Sequence, residues 1–334
     1  MYKKADDLGT SYYYRGAVDN NWVKFGKEGT KDIYWRIIRI NGDGSIRMIY
    51  SGTTKPSENT SVTGSNGVYM TGTGTQITVD SANTFKFNSS SNKAEYVGYQ
   101  YIEGQQHGYG ECNGSSASCT VNGNTLYNSI IKQQIDKWYA GTTLKDNSLV
   151  SQDQIFCNDR SATTSDSGTP GEISGSMSTS TTYYYGAYVR LVTNKSPQLK
   201  CPTASDKFTS RKSSIGNKAL TYPVGLITAD EVAMAGGVYG SINSSYYLYT
   251  SSFYWSGSPY DFFSDYSSAG EFSVSNGGDI GAGSVNITYG ARPVVSLSSK
   301  AKLSGNGTYD DVYTVSWFGC SNFVIIIRKF INIF

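Results

Sequence analysis

The sequence predicts an α+β fold in which an antiparallel sheet carries two helices and long loop insertions. Three patterns indicate this fold class: a strand-turn-strand pattern at residues 34–50, apolar residues at helical spacing in 125–139, and a helix-capping pattern at 228–235. No internal repeat and no Pro-rich or charged linker divides the 334 residues. The simplest organisation is therefore one core with inserted loops.

We expect that single domain to cover residues 1–315, with inserted loops at about 53–95 and 161–182, which are rich in Ser, Thr and Gly. Residues 316–334 are interpreted as an appended apolar tail. Their apolar run, 323–327, is too short to span a bilayer. We therefore expect no membrane insertion by this chain.

The first element is a β-hairpin. Residues 34–40 and 45–50 alternate partly between apolar and basic side chains, and Asn41-Gly42-Asp43-Gly44 joins them. This turn also resembles the start of a calcium loop, but the later acidic positions are missing, so the hairpin is favoured. The apolar segment 292–297 is expected to lie in the same sheet as 34–40.

Two helices follow. Residues 125–139 place Ile131, Ile135 and Trp138 on one face, which we expect to pack against the sheet. A shorter helix begins after Thr228, with Glu231 at the reciprocal position of a capping box. Asp230 and Glu231 could also form a catalytic acid pair, but helix capping explains them more simply.

Five cysteines are present, and we predict two disulfides, Cys112–Cys119 and Cys157–Cys201, with Cys320 left over. Reduced thiols and zinc ligands are the alternatives. Zinc requires CxxC-type spacing or histidine partners, and the chain has a single histidine, His107. We therefore expect no metal site.

Composition limits the classes of partner and the compartment. The chain has 28 basic and 26 acidic residues without a block of like charge, so nucleic acid and anionic membranes are not expected partners. Few charges, 28 tyrosines and 37 glycines suit a secreted or cell-surface protein. Residues 1–7 lack the apolar core of a signal peptide, so either the protein is cytoplasmic or its export segment lies upstream. The cysteines favour the second alternative.

The chemistry of catalysis is missing from the sequence. His107 lies beside Gly108 without a nucleophile motif, and there is no phosphate-binding, dinucleotide-binding or zinc-protease motif. The sequence therefore predicts neither an enzyme nor a cofactor.

The segment 254–289 is the main candidate for function. It contains no Lys, Arg, Gln, Leu, Met, Cys or His and consists mainly of Tyr, Phe, Ser, Asp, Asn and Gly, which is the residue usage of antibody paratopes. A plain surface loop is the alternative, but the clustered aromatic rings favour recognition. The predicted ligand-binding residues are Tyr254, Tyr260, Asp261, Phe262, Phe263, Asp265, Tyr266, Ser275, Asn276, Asp279, Asn286 and Tyr289.

The rings of this set are expected to be exposed and to share one face. Trp255, Pro259, Arg292 and Pro293 are expected to hold the scaffold beneath them.

Three segments carry a resemblance to a known fold. Residues 222–235, the motif Tyr254-Trp255-Ser256-Gly257-Ser258 and the segment 290–295 resemble the order of elements in the C-type lectin-like fold of formylglycine-generating enzymes. More specifically, they are similar to the variable proteins of diversity-generating retroelements. That resemblance implies a C-terminal segment diversified at adenines of the template, and the residue set of 254–289 fits randomised AAC-type codons.

The chain from about residue 9 to 315 also resembles a group of uncharacterised bacterial surface proteins, through residues 34–44, 156–160 and 222–231. The catalytic cysteines of formylglycine-generating enzymes have no counterpart in the C-terminal third of this chain, and the sugar-binding motifs of calcium-dependent lectins are absent too. The resemblance thus implies a non-catalytic display protein, such as an adhesin, that binds a protein or glycan on another cell or phage surface. A formylglycine-generating-type oxidoreductase relative and a structural, pilus-like surface component are the alternatives.

Overall fold

The computed structural model describes residues 1–58, 84–211 and 215–317, which fold into a mixed α+β protein made mostly of strands. The strands in chain order are β1 (Tyr2–Asp6), β2 (Gly9–Tyr13), β3 (Trp22–Glu28), β4 (Lys31–Ile40), β5 (Ile46–Tyr50), β6 (Phe85–Lys86), β7 (Gln100–Tyr101), β8 (Ser118–Val121), β9 (Asn124–Asn128), β10 (Phe156–Cys157), β11 (Ala162–Thr163), β12 (Tyr183–Tyr185), β13 (Lys207–Phe208), β14 (Tyr254–Phe263), β15 (Ser268–Val274), β16 (Ile280–Ser284), β17 (Thr288–Tyr289), β18 (Val294–Leu297), β19 (Ala301–Ser304) and β20 (Tyr313–Trp317).

The helices of the described residues are short. They are α1 (Ile130–Ala140), α2 (Gly186–Tyr188), which continues into a π-helix (Val189–Thr193), and α3 (Ala229–Ala235), with 3₁₀ turns at Ala94–Val97, Ala204–Asp206 and Ser264–Tyr266.

The largest sheet has eight strands in the order β1-β2-β4-β3-β20-β19, and β5 joins β4 to β18. All of its pairs are antiparallel except β20 with β3. Because β4 and β18 both pair with β5, the prediction that segments 34–40 and 292–297 share one sheet is confirmed. The predicted hairpin is confirmed as well: Ile40 pairs with Ile46 across the turn.

Helix α1 is five residues shorter at its start than the sequence pattern predicts. Residues 124–128 form β9, which pairs with β8 through the turn at Asn122 and Gly123, both with positive φ. An Asn-Gly turn of this kind favours a two-residue hairpin. Residues 125–128 therefore pair as a strand and do not form the first turn of the helix. Ser129 then caps the helix by accepting a hydrogen bond from the Lys132 backbone N–H at 3.3 Å.

The predicted packing of α1 is correct. Ile131 and Ile135 are fully buried, and Trp138 is almost completely buried. The Trp138 ring centroid lies 6.3 Å from that of Trp35 on β4 and 5.4 Å from that of Tyr50 on β5, so the helix lies on the large sheet.

The capping box of α3 is also confirmed. The Thr228 hydroxyl accepts from the Glu231 N–H at 3.1 Å, and the Glu231 carboxylate accepts from the Thr228 N–H at 3.0 Å. These two bonds satisfy backbone donors that the first helical turn otherwise leaves unpaired.

A second sheet contains most of the segment 254–289. Its five strands are antiparallel in the order β11-β12-β14-β15-β16. Helix α3 meets this sheet where the Ala229 N–H donates to Ser258 Oγ at 3.0 Å. The segment is therefore folded into strands and is not a long loop.

The inserted loops and the tail are covered in part. Residues 59–83 of the first predicted loop and 318–334 of the predicted tail lie outside the described residues, as does Cys320. The second loop, 161–182, is irregular apart from β11, and the strand β20 extends to Trp317.

Both predicted cysteine pairs are present. The Cα atoms are 5.9 Å apart in Cys112–Cys119 and 5.6 Å apart in Cys157–Cys201, which is within the range that a disulfide requires. Such bonds are compatible with an extracellular protein. Among the helices that the structure describes, none combines the length and the apolar character that crossing a membrane demands.

Candidate ligand-binding site

A β-bulge in the second sheet brings two neighbouring side chains to one face. Pro259 pairs with Glu271, and Asp261 pairs with Gly270, so Tyr260 is an extra residue on β14. Bulges of this kind redirect side chains. A Cβ atom at Gly270 would lie 2.8 Å from Asp261 Oδ1 and 3.3 Å from Tyr260 Cδ1. The missing side chain at Gly270 therefore leaves room for both residues.

Tyr260 belongs to a row of four tyrosines, Tyr184, Tyr188, Tyr260 and Tyr239, which we call the tyrosine row. Successive ring centroids are 4.8, 5.0 and 6.0 Å apart, and the hydroxyls of Tyr239 and Tyr260 are 2.7 Å apart. Phe263 extends the row, with its centroid 6.0 Å from that of Tyr184. These separations are typical of aromatic pairs in direct contact.

Three separate parts of the chain supply these rings. Tyr184 lies on β12 and Tyr188 ends α2; Tyr239 follows α3, and Tyr260 lies on β14. Under the row, the fully buried Phe272 of β15 contacts the ring of Tyr260 edge to face at 4.9 Å. The row therefore rests on the sheet.

Ionic and backbone contacts hold the supporting elements. The guanidinium of Arg190, just after α2, donates to Asp159 at 2.6 Å and to Asp230 of α3 at 2.9 and 3.0 Å. The segment around Tyr239 is bound to the edge of β16, because the Ile280 N–H donates to the carbonyl of Val238 at 3.0 Å. The rings are thus held in place before any ligand arrives.

The row is accessible from solvent. Tyr239 and Phe263 are 36% and 37% exposed, and the other three rings are half-buried. Val238 and Ile242, on the same segment as Tyr239, are 51% and 80% exposed. Exposed apolar and aromatic groups that gather in this way mark interaction surfaces.

Asp261 is a buried carboxyl on the same face of the sheet as Tyr260. It is 3% exposed, and its Oδ2 has no hydrogen-bond partner among the described residues. Burial raises the pKa of the Asp261 carboxyl to about 8. The carboxyl is close enough for its charge to raise the pKa values of Tyr184 and Tyr188, on which burial has the larger effect. Asp261 is therefore protonated for the most part at neutral pH and can donate a hydrogen bond.

Glu271, the neighbour of Gly270 on β15, points to the opposite face of the sheet because side chains alternate along a strand. It is fully buried, and neither carboxyl oxygen has a hydrogen-bond partner among the residues that the structure describes. Burial raises its pKa well above the usual value, although the charge of Arg160 acts in the other direction.

A contrasting cluster of buried charges lies at the start of α3, and we call it the arginine cluster. Arg39 is bound to Asp6 at 2.8 Å and to Glu231 at 2.9 Å, and Arg47 is bound to Glu231 at 2.6 Å. Burial alone would raise the pKa of Glu231, but the charges of Arg47 and Arg39 lower it to about 2. The Asp230 and Glu231 carboxylates are therefore both ion-paired, as expected for structural residues.

The structure corrects the predicted set of exposed rings. Tyr254 and Phe262 are fully buried, so the expectation that they are exposed is wrong. The Tyr254 hydroxyl donates to the carbonyl of Leu248 at 3.0 Å, and the Phe262 ring packs against that of Tyr183. Phe262 points inward because it alternates with Asp261 and Phe263 along β14.

The remaining predicted residues are dispersed. Asp265 and Tyr266 are exposed in the turn after β14, and Tyr266 is 82% exposed. Ser275 is buried and donates a hydrogen bond to Asp279 across the turn that leads to β16, and Asn276 in that turn is exposed.

Asn286 is exposed after β16, where its side-chain oxygen accepts from the Ser284 hydroxyl at 2.9 Å. Tyr289 belongs to a second aromatic cluster, with its ring centroid 4.8 Å from that of Phe253 and 4.6 Å from that of Trp255. The predicted scaffold residues Trp255, Pro259, Arg292 and Pro293 are all buried, as expected.

Of the twelve predicted residues, the structure therefore brings Tyr260, Asp261 and Phe263 together. Sequence reasoning missed Tyr184, Tyr188 and Tyr239. The tyrosine-rich run at residues 183–188 was a signal for two of them.

The chain matches no family model, no curated protein and no solved structure. A functional interpretation must therefore be based on the geometry of the site and on the resemblance in its sequence.

Proposed function

We propose that the protein is a non-catalytic recognition module and that its ligand binds on the tyrosine row. The observation that carries this proposal is a row of partly exposed rings, held on a sheet beside a buried carboxyl whose Oδ2 has no hydrogen-bond partner among the described residues. Rings that are already held in place lose little conformational entropy on binding, so they contribute strongly to affinity. Tyrosine also offers a hydroxyl for orientation at the edge of each ring.

We further propose that this surface belongs to a C-type lectin-like variable protein of a diversity-generating retroelement, exported to the cell surface or secreted. The composition of 254–289 supports this proposal. Within that segment, the exposed positions Phe263, Asp265, Tyr266, Asn276 and Asn286 can change without disturbing the core. A reverse transcriptase gene and a template repeat that differs only at adenines in the neighbouring DNA would support it. Their absence would contradict it.

Binding itself is tested with glycan and protein arrays on which the whole chain is the probe. The variant Tyr188→Ser/Tyr239→Ser removes two rings of the row. Tyr2→Ser/Tyr13→Ser is the matched control, because Tyr2 and Tyr13 also stack on each other, at 5.7 Å, on the β1–β2 hairpin. We expect array ligands that the wild type and the control bind and that the row variant loses, while both variants keep the circular dichroism spectrum of the wild type. An unchanged binding pattern for the row variant would contradict the proposal.

A further inference from the structure

The ionisable groups that act on Tyr184 and Tyr188 of the tyrosine row are acids. Burial alone accounts for the raised pKa of Asp261. Besides burial, the groups that most affect Tyr184 and Tyr188 are Asp166, Asp261 and other tyrosines, all of them acids. The nearby guanidinium of Arg190 is neutralised by two carboxylates. In the part of the chain that the structure describes, no group donates a hydrogen bond to Asp261 Oδ2, so the ionised carboxyl can accept a cation as its partner.

Aromatic rings add to this field, because the face of each ring carries partial negative charge and attracts cations. The attraction is stronger at sites with little water. The half-buried rings of the tyrosine row offer such faces, and their burial beside the buried Asp261 carboxyl limits the access of water. With a neutral ligand the Asp261 carboxyl keeps its proton, whereas a cation bound on the rings would favour the ionised form, which supplies the counter-charge.

On the premise that the tyrosine row is a binding surface, we propose that its ligand presents an alkylated ammonium group, which stacks on the rings with Asp261 as its counter-charge. Methyl groups on the nitrogen suit this site because they contact the rings and require no hydrogen bonds. A bare ammonium or a guanidinium would instead need acceptors for three or five N–H groups in a site with little water.

The test uses choline and its neutral isostere 3,3-dimethyl-1-butanol, which has the same shape without the charge. Binding to the whole chain is followed by tyrosine fluorescence at pH 9, where the Asp261 carboxyl is ionised. We expect choline to bind at least tenfold more tightly than the isostere. In Asp261→Asn, choline affinity should fall to that of the isostere, whereas Asp146→Asn, an exposed carboxyl after α1, should behave as wild type.

Equal affinities for choline and the isostere would overturn the inference, and so would unchanged choline binding in a folded Asp261→Asn variant. If neither probe binds while array ligands still depend on the row, the ligand is not an ammonium compound but the recognition function stands. If array ligands do not depend on the row, the recognition function itself has failed. Circular dichroism of each variant separates loss of binding from loss of folding.

Discussion

Two regions of this protein treat buried carboxyl groups in opposite ways. In the arginine cluster, Glu231 and Asp6 each contact a guanidinium, and the pKa of Glu231 falls to about 2. Around the bulge of β14, Asp261 and Glu271 have oxygens without hydrogen-bond partners among the described residues, and burial raises both pKa values.

We infer that the difference separates a structural role from a role in ligand binding. A buried charge that is fully paired holds elements together, and here the pairs join β1, β4 and β5 of the large sheet to α3. A buried polar group without a partner lowers stability and contributes no contact in return. Asp261 is such a group on the same face as the row of rings, which makes it a candidate for a ligand site.

The largest loss of stability is expected from Glu231→Met. The substitution leaves Arg39 and Arg47 buried without their shared carboxylate, so the free energy of unfolding should fall by about 3–5 kcal/mol. Urea denaturation at pH 7 measures it, with Asp32→Asn as a control because the Asp32 pairs with Lys24 and Lys27 are exposed. A loss as small as that of the control would show that the cluster is not structural.

A Glu→Met substitution near the bulge of β14 should raise the free energy of unfolding instead of lowering it. Glu271→Met replaces a carboxyl that has no hydrogen-bond partner among the described residues with an apolar side chain of similar length. The free energy of unfolding should rise by about 1–3 kcal/mol. Urea denaturation under identical conditions checks the sign, and destabilisation by Glu271→Met would mean that Glu271 has a partner.

Asp261 and Glu231 should make the free energy of unfolding depend on pH in opposite directions. Asp261 holds its proton in the folded state up to about pH 8. Its contribution to the free energy of unfolding is therefore complete below about pH 4 and is lost as pH rises through 8. Glu231 is the reverse: its contribution is complete above its ordinary pKa and is lost as pH falls through about 2.

Between pH 4 and 8, Asp261 should therefore lower the free energy of unfolding by about 1.4 kcal/mol per pH unit. Asp261→Asn should remove this share of the slope, as followed by urea denaturation at a series of pH values. A slope that is identical in the variant would contradict the assignment.

The smallest effect is expected from the tyrosine row. Tyr188→Ser and Tyr239→Ser remove rings that are half-buried or exposed, so each should change the free energy of unfolding by about 1 kcal/mol or less. Thermal unfolding of the single variants measures this. A loss comparable with that of Glu231→Met would make the row part of the core.

Local patterns were enough to predict much of the fold. The hairpin at residues 34–50, the capping box at Thr228 and Glu231, and both disulfides follow from residues close in sequence or from cysteine spacing. The start of α1 was missed because the Asn122-Gly123 turn extends the pairing of β9. Residues 125–128 fit the helical spacing of apolar side chains, but the turn places them in a β-hairpin.

The candidate site was harder to predict for a physical reason. Strand alternation alone would place Tyr260 and Asp261 on opposite faces, and only the bulge opposite Gly270 brings them together. Tyr184, Tyr188 and Tyr239 lie far from Tyr260 in sequence and meet it through tertiary packing. Composition identified the right segment of chain, but not which of its rings face solvent.

The ionisation of Asp261 tests the contrast between the two regions most directly. Carbon-13 labelling of the aspartates, with Asp261→Asn for assignment, allows the Asp261 carboxyl resonance to be followed by NMR from pH 3 to pH 10. We predict a midpoint near 8, because burial without a partner raises the pKa. A midpoint near 4 would show that Asp261 is solvated or paired like the carboxylates of the arginine cluster, and would contradict the account.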